Sequence, residues 1–325
     1  MNNFLEHVPV LLEEILENLK KFKITNGIVI DATFGLGGYS NAILENTNCD
    51  VYGFDRDPEV LKYANKLKEK YKNRFKFFQK KFSEIDDMLS KRNYSKKKIK
   101  GMIFDLGVSN LQLTKKNRGF SFQLDGPLDM RMSQEGIKAF DVINNYSAEK
   151  LSNIFYTFGD EIFSRRIARN ILKSRETSPI TSTLELANII RKAIPGKKKK
   201  IDKATKSFQA IRMFINDEIN ELNKGLITSE KFLTYGGILC VVSFHSKEDR
   251  IVKNFLNVCQ GKSKLFVSKF LPIKNTSKES FEIITKKPIT PSADEIKINY
   301  KARSAKLRIA KRTKVSAVFN SEAAA

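Results

Sequence analysis

The sequence contains few of the residues that hold metal ions or cross-link small secreted domains. Its 325 residues include three cysteines, two histidines and no tryptophan. The cysteines, at positions 49, 240 and 259, are far apart and form no CxxC pair, so they predict neither a disulfide framework nor a thiolate metal site. We therefore expect no structural metal, and a reducing compartment such as the cytoplasm suits three free thiols.

Long apolar runs are also missing. Glutamates at positions 6, 13, 14 and 17 interrupt the first 19 residues, so this stretch lacks a signal-peptide core. No apolar run elsewhere approaches the length of a membrane span, and no segment repeats another. These absences predict a cytoplasmic protein with no membrane partner.

Positive charge is what the chain has in excess. Its 59 Lys and Arg residues outnumber 36 Asp and Glu residues, which gives a formal net charge of +23. Hydrophobic residues make up 41%, enough for the folded core of one or two domains. The charge favours a polyanionic partner such as nucleic acid; the alternative is a lysine-rich composition whose charge is simply solvated.

Short apolar runs separated by helical patterns predict an α/β sheet. Each run is rich in Val, Ile or Phe and is followed by a turn or helix signal, as expected for buried parallel strands. Three runs end in Asp31, Asp55 and Asp105, and the carboxyl ends of parallel strands share the edge where open α/β folds bind ligands. The predicted strands are residues 27–31 (GIVID), 51–55 (VYGFD), 75–79 (FKFFQ), 101–105 (GMIFD) and 237–244 (GILCVVSF).

The segment between the fourth and fifth strands has a different pattern. Residues 114–206 contain amphipathic helical patterns, at 148–156, 161–172 and 183–193, joined by polar turns. We predict a helical domain inserted into an α/β domain that is formed by residues 1–113 and 207–325. Apolar residues at helical spacing further predict one helix over residues 207–226, lying on the sheet.

A glycine-rich turn follows the first predicted strand. Gly35, Gly37 and Gly38 in DATFGLGGY allow the backbone to turn tightly and approach a nucleotide-like ligand. A tight turn without a ligand is the alternative. Asp55 ends the next strand about 20 residues later, the position from which a carboxylate accepts hydrogen bonds from ribose, so we expect adenosine binding.

Charge distinguishes between the adenosine cofactors. Asp31 and Asp105 would repel the phosphates of NAD or of a nucleoside triphosphate, and the sequence has no P-loop pattern. S-adenosyl-L-methionine instead carries a sulfonium and an ammonium, to which carboxylates are complementary. We therefore predict S-adenosylmethionine rather than NAD, with an NAD-dependent oxidoreductase of similar fold as the alternative.

Nine segments, in order along the chain, resemble the bacterial small-subunit (16S) ribosomal RNA cytosine-N4 methyltransferases. The resemblance runs from residue 7 to residue 312, and its motifs are far more specific than a glycine pattern. The segments are HVPVLLEE, DATFGLGG, FDRDP, FDLGVSNLQL, RGFSFQLDGPLDMRM, TKSFQAIRMFIN, SFHSKEDRIVK, KPITPSADEI and ARSAKLRIA.

This resemblance implies a fold and a reaction. The fold is a class I S-adenosylmethionine-dependent methyltransferase sheet, Rossmann-like, with an inserted all-helical domain that recognises substrate. The reaction is methyl transfer to the 4-amino group of a decoding-region cytosine in small ribosomal subunits. A non-catalytic ribosome-binding protein of the same fold is the alternative. DNA amino methyltransferases commonly carry an [SDN]PP[YF] element after the fourth strand, and residues 105–110 (DLGVSN) take that place here, so the familiar acceptor arrangement is missing. We expect no DNA partner.

The resemblance also implies cofactor contacts. It places the methionine end near Asp105 and Gln112 and the adenine near Phe82, for which an ordinary core position is the alternative. The family often has histidine at the position of Tyr39. A cofactor contact that the family makes there through the backbone N–H is kept in this chain, whereas one made through the imidazole is lost. Together with the glycine turn, the predicted contacts are Gly35, Gly37, Gly38, Tyr39, Asp55, Phe82, Asp105 and Gln112.

Two residues are candidates for catalysis. The lone pair of a cytosine amine is conjugated, so acceptors must hold its N–H groups and aim the nitrogen at the methyl carbon. We predict that Asp105, or main-chain carbonyls at residues 107–109, accept from the amine of a flipped-out cytosine. His245, after the fifth strand, either positions RNA or makes structural hydrogen bonds. The methylated nitrogen can lose its proton to water, so no base or metal is required.

Basic and aromatic residues supply candidates for RNA contact. Those of the insertion suit phosphate contact and base stacking, while packing between the domains is the alternative for the two phenylalanines. The basic segment at residues 301–314 either grips ribosomal RNA or covers the sheet with Leu307 and Ile309 inward. The insertion candidates are Arg118, Phe120, Phe122, Asp129, Arg131, Arg165, Arg166 and Arg169.

Overall fold

The structure, a computed structural model, describes residues 8–91, 98–196, 201–262 and 279–319. The chain forms two compact units. One, the sheet unit, comprises Met1–Gly107 and Asn220–Ala325, and the other, the helical unit, comprises Val108–Ile219. His7, where the family resemblance begins, lies outside the described residues.

The sheet unit is built around seven strands in the order β3-β2-β1-β4-β5-β7-β6. The first five along the chain are parallel, and β7 runs antiparallel to β5 and β6. The predicted α/β class is confirmed, and each predicted strand is present to within two residues. The strands are β1 (Ile28–Asp31), β2 (Asp50–Asp55), β3 (Phe75–Gln79), β4 (Ile99–Asp105), β5 (Ile238–Ser243), β6 (Phe281–Ile283) and β7 (Lys306–Arg312).

The α-helices follow in chain order. The helices predicted from the patterns at residues 148–156, 161–172 and 183–193 are present in the insertion. Among the described residues, none is long and apolar enough to cross a membrane. They are α1 (Leu12–Lys21), α2 (Gly38–Asn46), α3 (Leu61–Tyr71), α4 (Ile85–Lys91), α5 (Asn110–Thr114), α6 (Ala139–Asn145), α7 (Ala148–Gly159), α8 (Ser164–Arg175), α9 (Thr183–Ala193), α10 (Thr205–Ile215), α11 (Glu218–Phe232), α12 (Ser246–Cys259) and α13 (Ala293–Ile298).

Helices cover both faces of the sheet. Successive residues of a strand point to opposite faces, so Ile30 and Phe54 pack with α4, α11 and α12, whereas Val29 and Val51 pack with α1, α2 and α3. Both layers are apolar and buried, which is why these strands read as continuous hydrophobic runs rather than as alternating ones.

The helical unit has a separate core. Apolar faces of α6 to α10 meet there, together with side chains from the long segment before α6. Phe120 is buried in this core, and the Phe122 ring contacts Phe208 with 4.8 Å between ring centroids. Both phenylalanines therefore pack within the helical unit itself.

The single helix expected over residues 207–226 is wrong, because the chain breaks there into α10 and α11. Asp217 has a left-handed φ of 51°. The buried Asn216 amide donates to the Met130 carbonyl (2.7 Å) and accepts from the Met132 N–H (2.8 Å). Phe208 belongs to the helical core, not to the sheet. Apolar spacing continues across the break, so periodicity alone does not show it. The units divide near residues 107 and 219 rather than near 113 and 206.

The basic C-terminal segment forms β7, in the sheet between β5 and β6. Leu307 and Ile309 are fully buried, as expected if this segment covers the sheet. Arg308 donates to Asp249 at 2.6 Å, and the guanidinium of Arg312 donates to main-chain carbonyls. Two of the basic side chains are thus buried and engaged inside the fold.

A buried carboxylate ties the C-terminal segment to α11. Glu230 is fully buried. It accepts hydrogen bonds from the hydroxyl of Ser280 and from the N–H groups of Val318 (2.8 Å) and Phe319 (3.1 Å). Buried hydrogen-bond donors need acceptors, and the Glu230 carboxylate is the acceptor for these three donors.

Candidate active site

Three aspartates lie at the carboxyl edge of the sheet. Asp31, Asp55 and Asp105 end the adjacent strands β1, β2 and β4. The strand order changes direction at β1, since the chain runs from β1 outward to β3 and then returns to β4. Open α/β sheets bind ligands at such a point.

The glycine turn joins β1 to α2. Gly35 and Gly37 have φ values of 54° and 81°, and a Cβ on Gly37 would lie 2.7 Å from a carbon of the Phe34 ring. The Gly35 N–H donates to Asp55 Oδ2 at 2.8 Å. The turn and the end of β2 are therefore one connected structure, and α2 begins directly after it at Gly38.

Asp55 is held by two main-chain donors. Besides Gly35, the Asp57 N–H donates to Asp55 Oδ1 at 2.9 Å. Burial raises the pKa of Asp55 to about 6. Each carboxylate oxygen retains a lone pair, so this fixed group has the acceptor geometry that a ribose diol requires.

Asp31 is fully buried and satisfied by protein groups. Ser40 Oγ donates to its Oδ2 at 2.6 Å, and the Thr33 N–H donates to its Oδ1 at 3.3 Å. Burial, with a smaller contribution from the charge of Asp55, raises the pKa of Asp31 to about 6. Both carboxylate oxygens of Asp31 thus accept hydrogen bonds from the protein itself.

Asp105 differs from the other two in having a free acceptor. Its own N–H donates to Thr33 Oγ1 at 2.6 Å, but Oδ1 is buried without a hydrogen-bond partner in the described part of the chain. Burial, and then the charges of Asp31 and Glu248, raise its pKa well above the usual range. An unpaired buried carboxyl oxygen is costly, and a cationic or hydrogen-bond-donating ligand would relieve that cost.

His245 precedes α12 and caps it. Its Nδ1 accepts from the Glu248 N–H at 3.3 Å, and its Nε2 lies 3.0 Å from Glu248 Oε1. Glu248 is buried, and its Oε2 accepts from the Phe244 N–H at 2.9 Å. The hydrogen bond from the Glu248 N–H orients the imidazole, whereas Nε2, although close to the carboxylate, makes no hydrogen bond within the described part of the chain. Sequence reasoning missed Glu248, although a glutamate three residues after a helix cap is a recognisable signal.

Tyr39 serves packing through its side chain. The ring is buried, its hydroxyl donates to the Val10 carbonyl, and burial raises the pKa of the phenol well above the usual range. The substitution of tyrosine for the family's histidine thus leaves the backbone N–H in the first turn of α2 as the group that a ligand would contact.

Phe82 and Gln112 lie in different units. Phe82 is half-buried and its ring meets Phe104 edge-on, with 5.6 Å between centroids. Gln112 belongs to the helical unit, where its side chain accepts from the Ser109 N–H at 3.0 Å in the cap of α5. The structure thus shows a packing role for each, and their predicted cofactor contacts stay predictions.

Several candidates for RNA contact are engaged inside the helical unit. Arg118 is buried and donates to the carbonyls of Arg131 and Met132 at 2.9 and 3.0 Å. Arg131 pairs with Asp129 at 2.8 Å. These side chains hold the segment before α6 in place. Among the described residues, no group of three or more His, Cys, Asp or Glu side chains is placed to hold a metal ion.

Comparison with known proteins agrees with this geometry. Residues 4–313 match the MraW methylase family. The chain is 47% identical over 307 residues to a ribosomal RNA small subunit methyltransferase H of Rickettsia canadensis (strain McKiel), covering 94% of this chain and 97% of that protein. It is 46% identical over 318 residues to a protein of the same name from Orientia tsutsugamushi (strain Boryong), covering 95% and 98%.

Among solved structures, an rRNA methylase from Streptococcus thermophilus covers 95% of this chain and 99% of its own, with 12% identity and a TM-score of 0.38. That likeness is too weak to add to the sequence matches. The matches over nearly the whole chain are sufficient by themselves: the chain belongs to the MraW methylase family.

Proposed function

We propose that this methyltransferase transfers a methyl group from S-adenosylmethionine to the 4-amino group of a cytosine in small-subunit (16S) ribosomal RNA. The relatives named as ribosomal RNA small subunit methyltransferases support the substrate. A ribosomal substrate places the reaction in the cytoplasm, and the small subunit is then the partner. The excess of positive charge suits such a polyanion.

The unpartnered Oδ1 of Asp105 is the observation that carries the proposal. It lies at a strand edge where burial raises the pKa of Asp31, Asp55 and Asp105. The charge of Asp55 adds to this effect at Asp31, and the charge of Asp31 adds to it at Asp105, so the edge is unfavourable until positive charge enters it. A sulfonium and an ammonium supply that charge. The phosphates of a dinucleotide would add repulsion instead.

Each residue of this sheet edge has a separate role in binding or in methyl transfer. When bound, S-adenosylmethionine supplies an electrophilic methyl group. Asp55, fixed by two main-chain donors, accepts the ribose hydroxyls, and the glycine turn lets the backbone approach. Asp105 Oδ1 accepts from the cytosine amine and orients the nitrogen lone pair. The proton of the methylated amine then leaves to water, so the step needs no further base.

Methyl transfer to defined RNAs tests the proposal. Radiolabelled S-adenosylmethionine is incubated with purified small subunits, naked small-subunit RNA or transfer RNA, and the labelled nucleosides are identified. We expect N4-methylcytidine from small subunits. Label in another nucleoside or another RNA overturns the substrate, and absence of calorimetric S-adenosylmethionine binding overturns the cofactor and revives a non-catalytic ribosome-binding protein.

A matched pair of variants tests the role of Asp105. Asp105→Asn is expected to weaken S-adenosylmethionine binding, because it removes the carboxylate that the cofactor's positive charge would neutralise, and to lose most methyl transfer even at saturating cofactor. Asp50→Asn, at the amino end of β2 and so at the opposite edge of the sheet, is the control and should keep both. If Asp105→Asn loses transfer only because it no longer binds the cofactor, its direct contact with the amine is refuted.

A further inference from the structure

Helix α8 carries a basic face that the fold does not use. Ser164, Ile167, Ala168 and Ile171 form its buried side and pack into the core of the helical unit. On the opposite side, four basic side chains fall within about 100° of arc at the helical repeat. These exposed residues are Arg165, Arg166, Arg169 and Lys173.

The four side chains have no internal partner, unlike other arginines of the unit. In the described part of the chain, none of the four makes a hydrogen bond or an ion pair, and α8 contains no acidic residue. Elsewhere in the helical unit, arginines pair with carboxylates at 2.8–2.9 Å; these pairs are Arg131–Asp129, Arg191–Asp202 and Arg212–Glu218.

Such a face is unfavourable for the helix alone. Arg165 and Arg169, like Arg169 and Lys173, are four residues apart, so like charges repel on one side of the helix. Arg165 and Arg166 also lie in the first turn, where the helix dipole favours negative charge and where no acidic residue is present. Bound anions would relieve both effects.

We propose that this face of α8 binds the phosphate backbone of the small-subunit ribosomal RNA, an inference that rests on the proposed function. The span from Arg165 to Lys173 is about 12 Å at the helical rise, a length over which a nucleic-acid strand presents several phosphates. Three of the four side chains are arginines, whose planar forks bind phosphate in a bidentate manner. Ile162, 79% exposed one turn earlier, adds an apolar contact at the edge of the face.

Salt-dependent binding is the test, with a charge-matched control. The triple variant R165Q/R166Q/R169Q is compared with K20Q/K66Q/K68Q, which removes the same charge from exposed lysines of the sheet unit. Affinity for small subunits and for naked small-subunit RNA is measured by filter binding over a range of salt. Calorimetric S-adenosylmethionine binding and the circular dichroism spectrum check that each variant is folded.

We expect the α8 variant to weaken RNA binding at least tenfold near physiological salt and to lower the slope of log affinity against log salt by about 2, since each lost phosphate contact removes about 0.7–0.9. In methyl transfer, KM for subunits should rise while kcat stays within about twofold. The control should change the slope little. If the triple variant fails to fold, the single variant R169Q is used instead. It should lower the slope of log affinity against log salt by about 0.7, and an unchanged slope would mean that Arg169 contacts no phosphate.

Two results overturn the proposal. Equal losses in both triple variants would mean that only net charge matters. Losses with assembled subunits but not with naked RNA would assign the face to an acidic ribosomal protein. Failure of the wild type to methylate any RNA would refute the proposed function, whereas the binding slopes would still decide whether α8 contacts RNA.

Discussion

Replacing Asp31 with asparagine should make the cofactor-free protein more stable at neutral pH. Asp31 is fully buried, and it accepts from the Ser40 hydroxyl and the Thr33 N–H, while the Ser40 N–H also favours its charged form. An asparagine can keep both hydrogen bonds, because a hydroxyl accepts as well as donates and the amide oxygen still accepts from the N–H. The substitution therefore removes the charge while keeping these two hydrogen bonds.

The pKa of Asp31 sets the magnitude. Its rise from 3.8 to about 6 means that the folded protein disfavours the charged carboxyl by about two pKa units. Two units correspond to about 3 kcal/mol, which the asparagine variant should regain in full once the pH is above both values. No discount for solvent screening applies, because the side chain is inaccessible.

The sign of the pH dependence follows from proton binding. Between about pH 4 and pH 6 the folded state holds the Asp31 proton more tightly than the unfolded state, so this group's contribution to stability falls as pH rises. Asparagine has no such dependence. The stability difference between variant and wild type should thus be near zero at about pH 4 and grow to about 3 kcal/mol by pH 7.

Urea denaturation followed by far-ultraviolet circular dichroism, at a series of pH values, measures this difference. Asp50→Asn, on a strand of the same sheet, is the control and should stay within about 0.5 kcal/mol of wild type throughout. A difference for Asp31→Asn that is independent of pH, or that favours the wild type at neutral pH, would refute the assignment of a strained buried charge to Asp31.

Gly37→Ala should abolish calorimetric S-adenosylmethionine binding and lower stability by about 2–3 kcal/mol, because a Cβ there, at φ 81°, meets the Phe34 ring at 2.7 Å. Gly136→Ala, at φ 80° with open space around it, is the control, and equal effects at the two sites would exclude the steric explanation. Glu230→Ala should lower the free energy of unfolding by about 3–5 kcal/mol, since three buried donors lose their acceptor; a loss below about 1 kcal/mol in urea denaturation would contradict this. The affinity for S-adenosylmethionine should decrease as pH falls through about 6, because protonation of Asp55 removes an anionic acceptor. Constant affinity in calorimetry between about pH 5 and pH 7 would contradict this role of Asp55.

Sequence periodicity located elements but not their breaks. The parallel strands were predictable because buried strands are short, apolar and bounded by turns. The division between α10 and α11 was not, since the apolar spacing runs through it and the break depends on Asn216 bonding to Met130 and Met132, more than 80 residues away. The basic segment that contains β7 shows a related limit: its sequence left open whether it grips RNA or covers the sheet, and only the fold places Leu307 and Ile309 in the core.

Within the candidate site, residues near one another in sequence were the predictable ones. The glycine turn and the aspartates at the strand ends follow from local pattern and from the rule that parallel strands share an edge. Glu248 has a local capping signal, but its effect on the site comes from packing: it lies on α12 and raises the pKa of Asp105, which ends β4.

The sequence by itself determined the α/β class, the strand positions, the glycine turn and the excess of positive charge, because each depends on composition or on neighbours along the chain. Only the tertiary structure decided which charges remain available. Arg308 and Arg169 are alike in sequence, yet Arg308 pairs with Asp249, 59 residues earlier, and is buried, whereas Arg169 is exposed on α8. Pairing and burial are set by contacts between distant segments, and those exist only once the chain has folded.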